Sequence, residues 1–244
     1  MRGLFEFVGE CILILGDAFR RLFTGRWEAG EMLNQMSFVG VNSVPIVALT
    51  TFFSGSVLAL YSTEVLVRYG ASGLAGATIG LAVTREIAPV LAGIMVAARC
   101  GSAMAAQIGS MKVTEQVDAL RTLRVHPTDY LILPRLLAGL LMVPILCLVG
   151  VFSGVGGGYL LSISKGVASG AFLNSLKQFV EPWDFWGGMI KAVAFGIIIA
   201  VVACQQGLAT RNGAVGVGRS TTQTVVISMV LIYVVNFLLA AVLY

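Results

Sequence analysis

The chain is poor in charge. Aspartate, glutamate, lysine and arginine make up 11% of its 244 residues, against roughly 25% in soluble globular domains. With 57% hydrophobic residues and 29 glycines, this excludes an ordinary water-soluble globule and points to an integral membrane protein. Histidine occurs once, at His126, before Pro127 in a polar loop without a partnered serine or cysteine or a second candidate ligand; a turn residue suits it better than catalysis. The four cysteines, Cys11, Cys100, Cys147 and Cys204, are far apart in apolar surroundings. They offer neither a disulfide framework nor metal-ligand spacing, and read as small packing residues. No basic block exists to grip a nucleic-acid backbone, so the net charge of +4 is better read by location than by size.

One apparent phosphate site is also excluded. Gly213 to Thr221, "GAVGVGRST", nearly fits the phosphate-loop pattern, with Arg219 where lysine belongs. That loop works at a strand-to-helix turn, whereas here it joins two apolar runs. No ATPase site and no catalytic centre are expected in this chain.

What is present is helical. At about 100° per residue, Glu6, Glu10, Asp17, Arg20 and Arg21 fall in one sector, while Leu4, Val8, Ile12, Leu15, Ala18, Phe19 and Leu22 take the apolar side. Lacking a basic region, an isolated apolar core and a cleavage site, the segment 1–25 does not read as a signal peptide. It reads as an amphipathic helix lying in a membrane surface, with packing on a soluble core as the alternative; Gly25 is the expected stop. A helix needs about 20 apolar residues to cross a bilayer, and five runs qualify, near 38–62, 73–108, 131–162, 186–208 and 223–243. The second is too long for one straight crossing and must tilt, break or project. Lysine and arginine concentrate before the first run (Arg2, Arg20, Arg21, Arg26), after the second (Lys112, Arg121, Arg124, Arg135) and after the fourth (Arg211, Arg219). By the positive-inside rule the N-terminus is cytoplasmic and the C-terminus outside. No polar linker divides residues 1–244, so a single domain is expected. Gly76 and Gly80, and Gly150, Gly154 and Gly158, suit close helix packing.

Two stretches hold polar residues that composition does not explain. In "KVTEQVDALRTLRVHP", 112–127, Thr114 can cap a helix near 114–123, with Glu115 and Asp118 at its start, Arg121 and Arg124 at its end and Pro127 closing it. Its stripe of Val113, Val117 and Leu120 can dock on the protein's own bundle or on a partner. In "VTREIAPVLAGIMVAARCG", 83–101, Arg85 and Glu86 are adjacent and diverge on a helix, so they address different neighbours. Pro89 removes a backbone donor and frees the Arg85 carbonyl, which predicts a kink. Arg99 falls within about 40° of the Arg85 face. Such charges face a bundle interior or a wet cavity, or else snorkel from the outer interface.

Thr84 to Arg135 strongly resembles the central signature of MlaE-type permeases, the membrane subunits of lipid-transporting ABC systems, and Gly213 to Val226 resembles that family's second signature. The resemblance covers nearly the whole chain in order. It implies an all-α integral membrane protein in which an N-terminal interfacial helix precedes five transmembrane helices and a short cytoplasmic coupling helix. It implies a homodimer working with two cytoplasmic ATPase subunits, which bind the ATP and magnesium, and with an MCE-domain substrate-binding protein outside. The cargo would be a glycerophospholipid or similar polar lipid, and the location a bacterial inner membrane or, in related form, a plastid envelope. Arg85, Glu86 and Arg99 are the expected substrate-binding residues; Glu115, Gln116, Asp118, Leu120 and Arg121 are expected to couple to the ATPase. The alternative is an ion-driven secondary transporter of an amphiphilic solute. That class needs paired interrupted helices, and the sequence offers one proline-broken charged segment without a matching copy.

Overall fold

A backbone in hydrocarbon must satisfy its own N–H and C=O groups, and a helix does so within one segment. In a computed structural model the chain is described over residues 2–24, 29–123 and 125–244, and these are mostly helical, with no strand among them. The expected stop at Gly25, together with Arg26 and Arg124, lies outside the described residues, as do the side chains of Leu4 and Arg121. The helices are α1 (Arg2–Thr24), α2 (Ala29–Val39), α3 (Val44–Arg68), α4 (Ala75–Ala82), α5 (Ala88–Val96), α6 (Ser102–Val113), α7 (Gln116–Thr122), α8 (Leu133–Ser164), α9 (Ser169–Phe179), α10 (Pro182–Leu208) and α11 (Gly213–Leu243).

Among the described residues five helical stretches are long and apolar enough to cross a membrane: Gly30–Arg68, Ser72–Val113, Thr128–Ser164, Pro182–Leu208 and Gly213–Leu243. Each contains one expected run and extends past it at one or both ends. The extensions are polar turns that hydropathy does not count: α10 begins with Pro182 and carries Asp184 in its first turn, and α11 begins at Gly213 in the left-handed region, φ 64°.

The long second stretch is not a uniform α-helix. Wide π-turns occupy Val83–Ile87 and Ala97–Gly101, and a third, Thr128–Ile132, opens the stretch that becomes α8. The first and third are each followed, after one residue, by a proline, Pro89 and Pro134. The expected kink at Pro89 therefore takes the form of a π-turn. A proline cannot donate to the preceding turn, and the widened turn accommodates the missing bond. Helix runs on both sides of the turn at Val83–Ile87, whereas the turn at Thr128–Ile132, which the sequence reading does not expect, leads directly into α8.

The residues group into two compact units, one of Met1–Asn42, Val96–Val143 and Val193–Val234, the other of Ser43–Met95, Pro144–Ala192 and Val235–Tyr244. In the first unit α1 has three faces rather than the expected two. Ala18 is fully buried in a cluster with Ile108, Ile132, Leu136, Ala200, Val201 and Cys204, flanked by Cys11 and Ile14. Phe5, Val8, Ile12 and Phe19 are exposed, as a face turned to membrane requires. Much of the polar sector is engaged by protein: Gln205 donates to Glu10 at 2.7 Å, Thr128 donates to Asp17 at 2.5 Å, and Arg21 bridges Asp17 and Asp129 at 3.1 and 2.9 Å. Burial pushes the Asp17 carboxyl up, but the hydrogen bonds from Thr128 and Arg21 outweigh it and hold the group below its ordinary value. Burial raises the Cys11 thiol to about 11, with Glu10 adding to the shift, so this cysteine stays protonated and packs as an apolar group.

In the second unit α3 meets α8 at glycine: a Cβ on Gly55 would stand 2.1 Å from the Gly154 carbonyl oxygen, and one on Gly157 would stand 2.3 Å from that of Phe52. Gly76 and Gly80 serve a helix that the sequence reading left unassigned. A Cβ on Gly76 would meet the Phe172 carbonyl oxygen at 2.0 Å, and one on Gly80 would meet Leu176 at 2.3 Å; α9 lies against α4 at this close approach.

Candidate functional site

The second unit gathers two cations and two carboxylates. Pro89 leaves the Arg85 carbonyl without its helical donor, and an unpaired carbonyl in apolar surroundings is costly. Lys191 of α10 supplies the replacement: its Nζ donates to the Arg85 oxygen at 2.9 Å and to Glu86 Oε1 at 2.7 Å. Glu86 Oε2 accepts from Asn236 of α11 at 2.7 Å. Arg85 points elsewhere, as its place on the turn dictates. Its Nε and Nη2 both donate to Asp184 Oδ1, at 2.7 and 2.6 Å, while Asp184 Oδ2 accepts from the Glu181 backbone N–H at 2.9 Å. The cluster is neutral as a whole.

Burial is uneven within it. Lys191 is wholly buried and the Asp184 side chain is 3% exposed, whereas those of Arg85 and Glu86 are 37% and 43% exposed. Asp184 and Lys191 are thus the fixed partners, and Arg85 and Glu86 present the accessible groups. Arg85 Nη1 makes no hydrogen bond among the described residues. A guanidinium with one edge committed and another open can donate to an anion such as a phosphate. Asp184 lies in the first turn of α10 and Tyr244 follows the last residue of α11, while Lys191 stands further inside α10, so the cluster reaches inward from the ends of these helices. The polar partners of Arg85 and Glu86 belong to α10 and α11 of the same unit. A cleft of about 580 Å³ in the same unit is lined by Thr84 and Phe185, the chain neighbours of Arg85 and Asp184, and by Phe152, Tyr159 and Phe172.

Arg99 does not join this cluster. It belongs to the first unit, donates to the Phe38 carbonyl at 2.9 Å and stacks over the Phe38 ring at 5.2 Å. The cluster members that sequence reasoning missed are Asp184, Lys191, Asn236 and Tyr244. Lys191 was visible in principle, being the one charge in the apolar run 186–208; Tyr244 carried no signal.

The polar stretch 112–127 forms a helix, but not as expected. Thr114 closes α6 instead of capping the next helix: its hydroxyl donates back to the Ser110 carbonyl at 2.8 Å. Glu115 then turns the chain in the left-handed region, φ 61°, and its carbonyl accepts the N–H groups of Asp118 and Ala119 at 3.1 and 2.9 Å. The helix that follows, α7, is correspondingly shorter than 114–123. Val117 is fully buried and Leu120 half-buried, so this part of the stripe docks on the protein itself. Asp118 pairs with Lys112 at 3.0 Å. Glu115 and Gln116 remain exposed. His126 lines a cleft with Asp17 and Thr128. Among the described residues no group of histidine, cysteine and carboxylate side chains could hold a metal ion.

Comparison with known proteins places this architecture. Residues 32–242 match the family described as Permease MlaE. A "probable ABC transporter permease protein" of Rickettsia prowazekii (strain Madrid E) is 47% identical over 85% of this chain and 81% of its own length. A protein of the same description from Synechocystis is 41% identical over 97% of this chain and 90% of its own. The chloroplastic protein trigalactosyldiacylglycerol 1 of Arabidopsis thaliana is 37% identical over 94% of this chain and 66% of its own. With five described stretches long and apolar enough to cross a membrane and a family match over residues 32–242, the chain belongs to the MlaE family of ABC transporter permeases.

Proposed function

We propose that this chain is the lipid-conducting subunit of an ABC transporter and moves a phospholipid or similar polar lipid between membranes. The observation that carries the proposal is the neutral cluster of Arg85, Glu86, Asp184 and Lys191, set in apolar helices with the Nη1 edge of Arg85 left open. A headgroup phosphate is the natural acceptor for that edge, and the apolar surroundings suit acyl chains. The diacylglycerol lipid in the name of the Arabidopsis relative points the same way. In this reading two copies of the chain form the permease. Separate cytoplasmic ATPase subunits bind ATP and magnesium and receive the loop of Glu115, Gln116, Asp118, Leu120 and Arg121, while an MCE-domain protein exchanges lipid on the outer side. The N-terminus is cytoplasmic, the C-terminus outside, and the membrane a bacterial inner membrane or a plastid envelope.

Mass spectrometry of lipids retained by the purified chain tests the cargo. We expect enrichment of one phosphate-bearing headgroup class over the bulk membrane extract, lost in Arg85→Ala. A wild-type lipid profile equal to that of the surrounding membrane would overturn the proposal.

A further inference from the structure

Arg85 is held on two sides, by different groups. Asp184 takes the Nε and Nη2 edge, and the ring of Tyr244 lies against the guanidinium face, 4.5 Å from Cζ to the ring centroid. The same ring serves Lys191, whose Nζ is 5.2 Å from the centroid. Two cations side by side repel, and the negative face of a shared aromatic ring offsets part of that cost. The ring is itself fixed. Its hydroxyl donates to the Asp184 backbone carbonyl at 3.2 Å, and the indole of Trp183 donates to the Leu243 carbonyl at 3.3 Å. Gly187 makes the space, since a Cβ there would stand 2.3 Å from the Tyr244 hydroxyl. An arginine side chain has several rotatable bonds, and Asp184 alone fixes one edge without fixing the plane. The ring fixes the plane.

We propose that Tyr244 is a positioning residue for the substrate: it orients the Arg85 guanidinium so that Nη1 stays open to a headgroup phosphate, and thereby sets the preference for phosphate-bearing over phosphate-free lipid. This rests on the lipid reading given above. Tyr244 acts through Arg85 and touches no cargo in this role. Its hydroxyl is secondary; the ring face and its placement carry the effect.

The test uses the full chain in detergent micelles with two fluorescent probes of equal acyl composition, a nitrobenzoxadiazole-labelled phosphatidylglycerol and the matching diacylglycerol. The ratio of their dissociation constants reports phosphate preference and is insensitive to a uniform loss of binding. Tyr244→Leu should cut the wild-type ratio about fivefold, the scale of a partly desolvated cation–π contact. Tyr244→Phe, which keeps the ring, should stay within about twofold of wild type. Gly187→Ala provides a second route that leaves Tyr244 in place and displaces its ring, and should match Tyr244→Leu. Wild-type ratios in both Tyr244→Leu and Gly187→Ala would overturn the assignment, as would Tyr244→Phe losing as much as Tyr244→Leu. A wild-type chain with no phosphate preference, or one whose preference survives Arg85→Ala, would instead overturn the lipid reading and the assignment with it.

Discussion

Lys191 shows at a single residue why this chain keeps charges inside apolar helices. Its ammonium group satisfies a carbonyl released by Pro89, neutralises Glu86 and lies near the Tyr244 ring. Removing it leaves a carbonyl without a donor and a carboxylate without its cation, costs that add when both groups are poorly solvated. Because Glu86 is 43% exposed, water recovers part of the loss, and we expect Lys191→Met to cost about 2–3 kcal/mol rather than the full value of a buried pair. A lowered thermal midpoint in detergent checks this. Adding Glu86→Gln to Lys191→Met should restore part of the loss, and strictly additive effects would show that the two side chains are not coupled. Arg85 and Glu86 were legible in the sequence because adjacent charges in an apolar run are conspicuous. Their partners were not, because Asp184 and Lys191 come from a helix about a hundred residues later, and only tertiary packing decides which distant charges meet. The placement of Arg99 on the Arg85 face rested on about 100° per residue; the π-turns at Val83–Ile87 and Ala97–Gly101 depart from that step.

Among the elements, α7 and its entry turn separate backbone from side-chain function. Glu115 sits at φ 61°, where a residue with a Cβ costs roughly 1 kcal/mol that glycine avoids. Glu115→Gly should therefore preserve or raise the stability of the permease. The joint change of Glu115 and Asp118 to lysine should release the ATPase in pull-downs while the permease remains folded; undiminished ATPase retention would remove this loop from the coupling role. Helix α1 was readable as amphipathic because its polar sector is contiguous. The division of its apolar side into a buried edge at Ala18 and an exposed edge at Phe5, Ile12 and Phe19 was not, since a helical wheel cannot distinguish protein from lipid as the apolar neighbour. The short helix α9 went unassigned for a related reason: hydropathy finds membrane-length runs, and 11 residues fall below that scale.

At the scale of the whole molecule, low charge and five apolar runs were enough to fix the class, because a bilayer leaves few solutions for an apolar chain of this length. The proposed mechanism is a different matter, for it rests on a cluster whose accessible members sit against fixed ones. Under the proposed function the site holds a polar headgroup among apolar walls and yields it when the ATPase acts. The most direct measurement is ATP-dependent transfer of a fluorescent phospholipid by the complete transporter reconstituted in vesicles, comparing wild type with Arg85→Ala and Glu86→Ala. The account predicts that each variant inserts, assembles with its ATPase and loses transfer by at least about tenfold, the value of one charge-assisted contact. Transfer at the wild-type rate in both variants would contradict it.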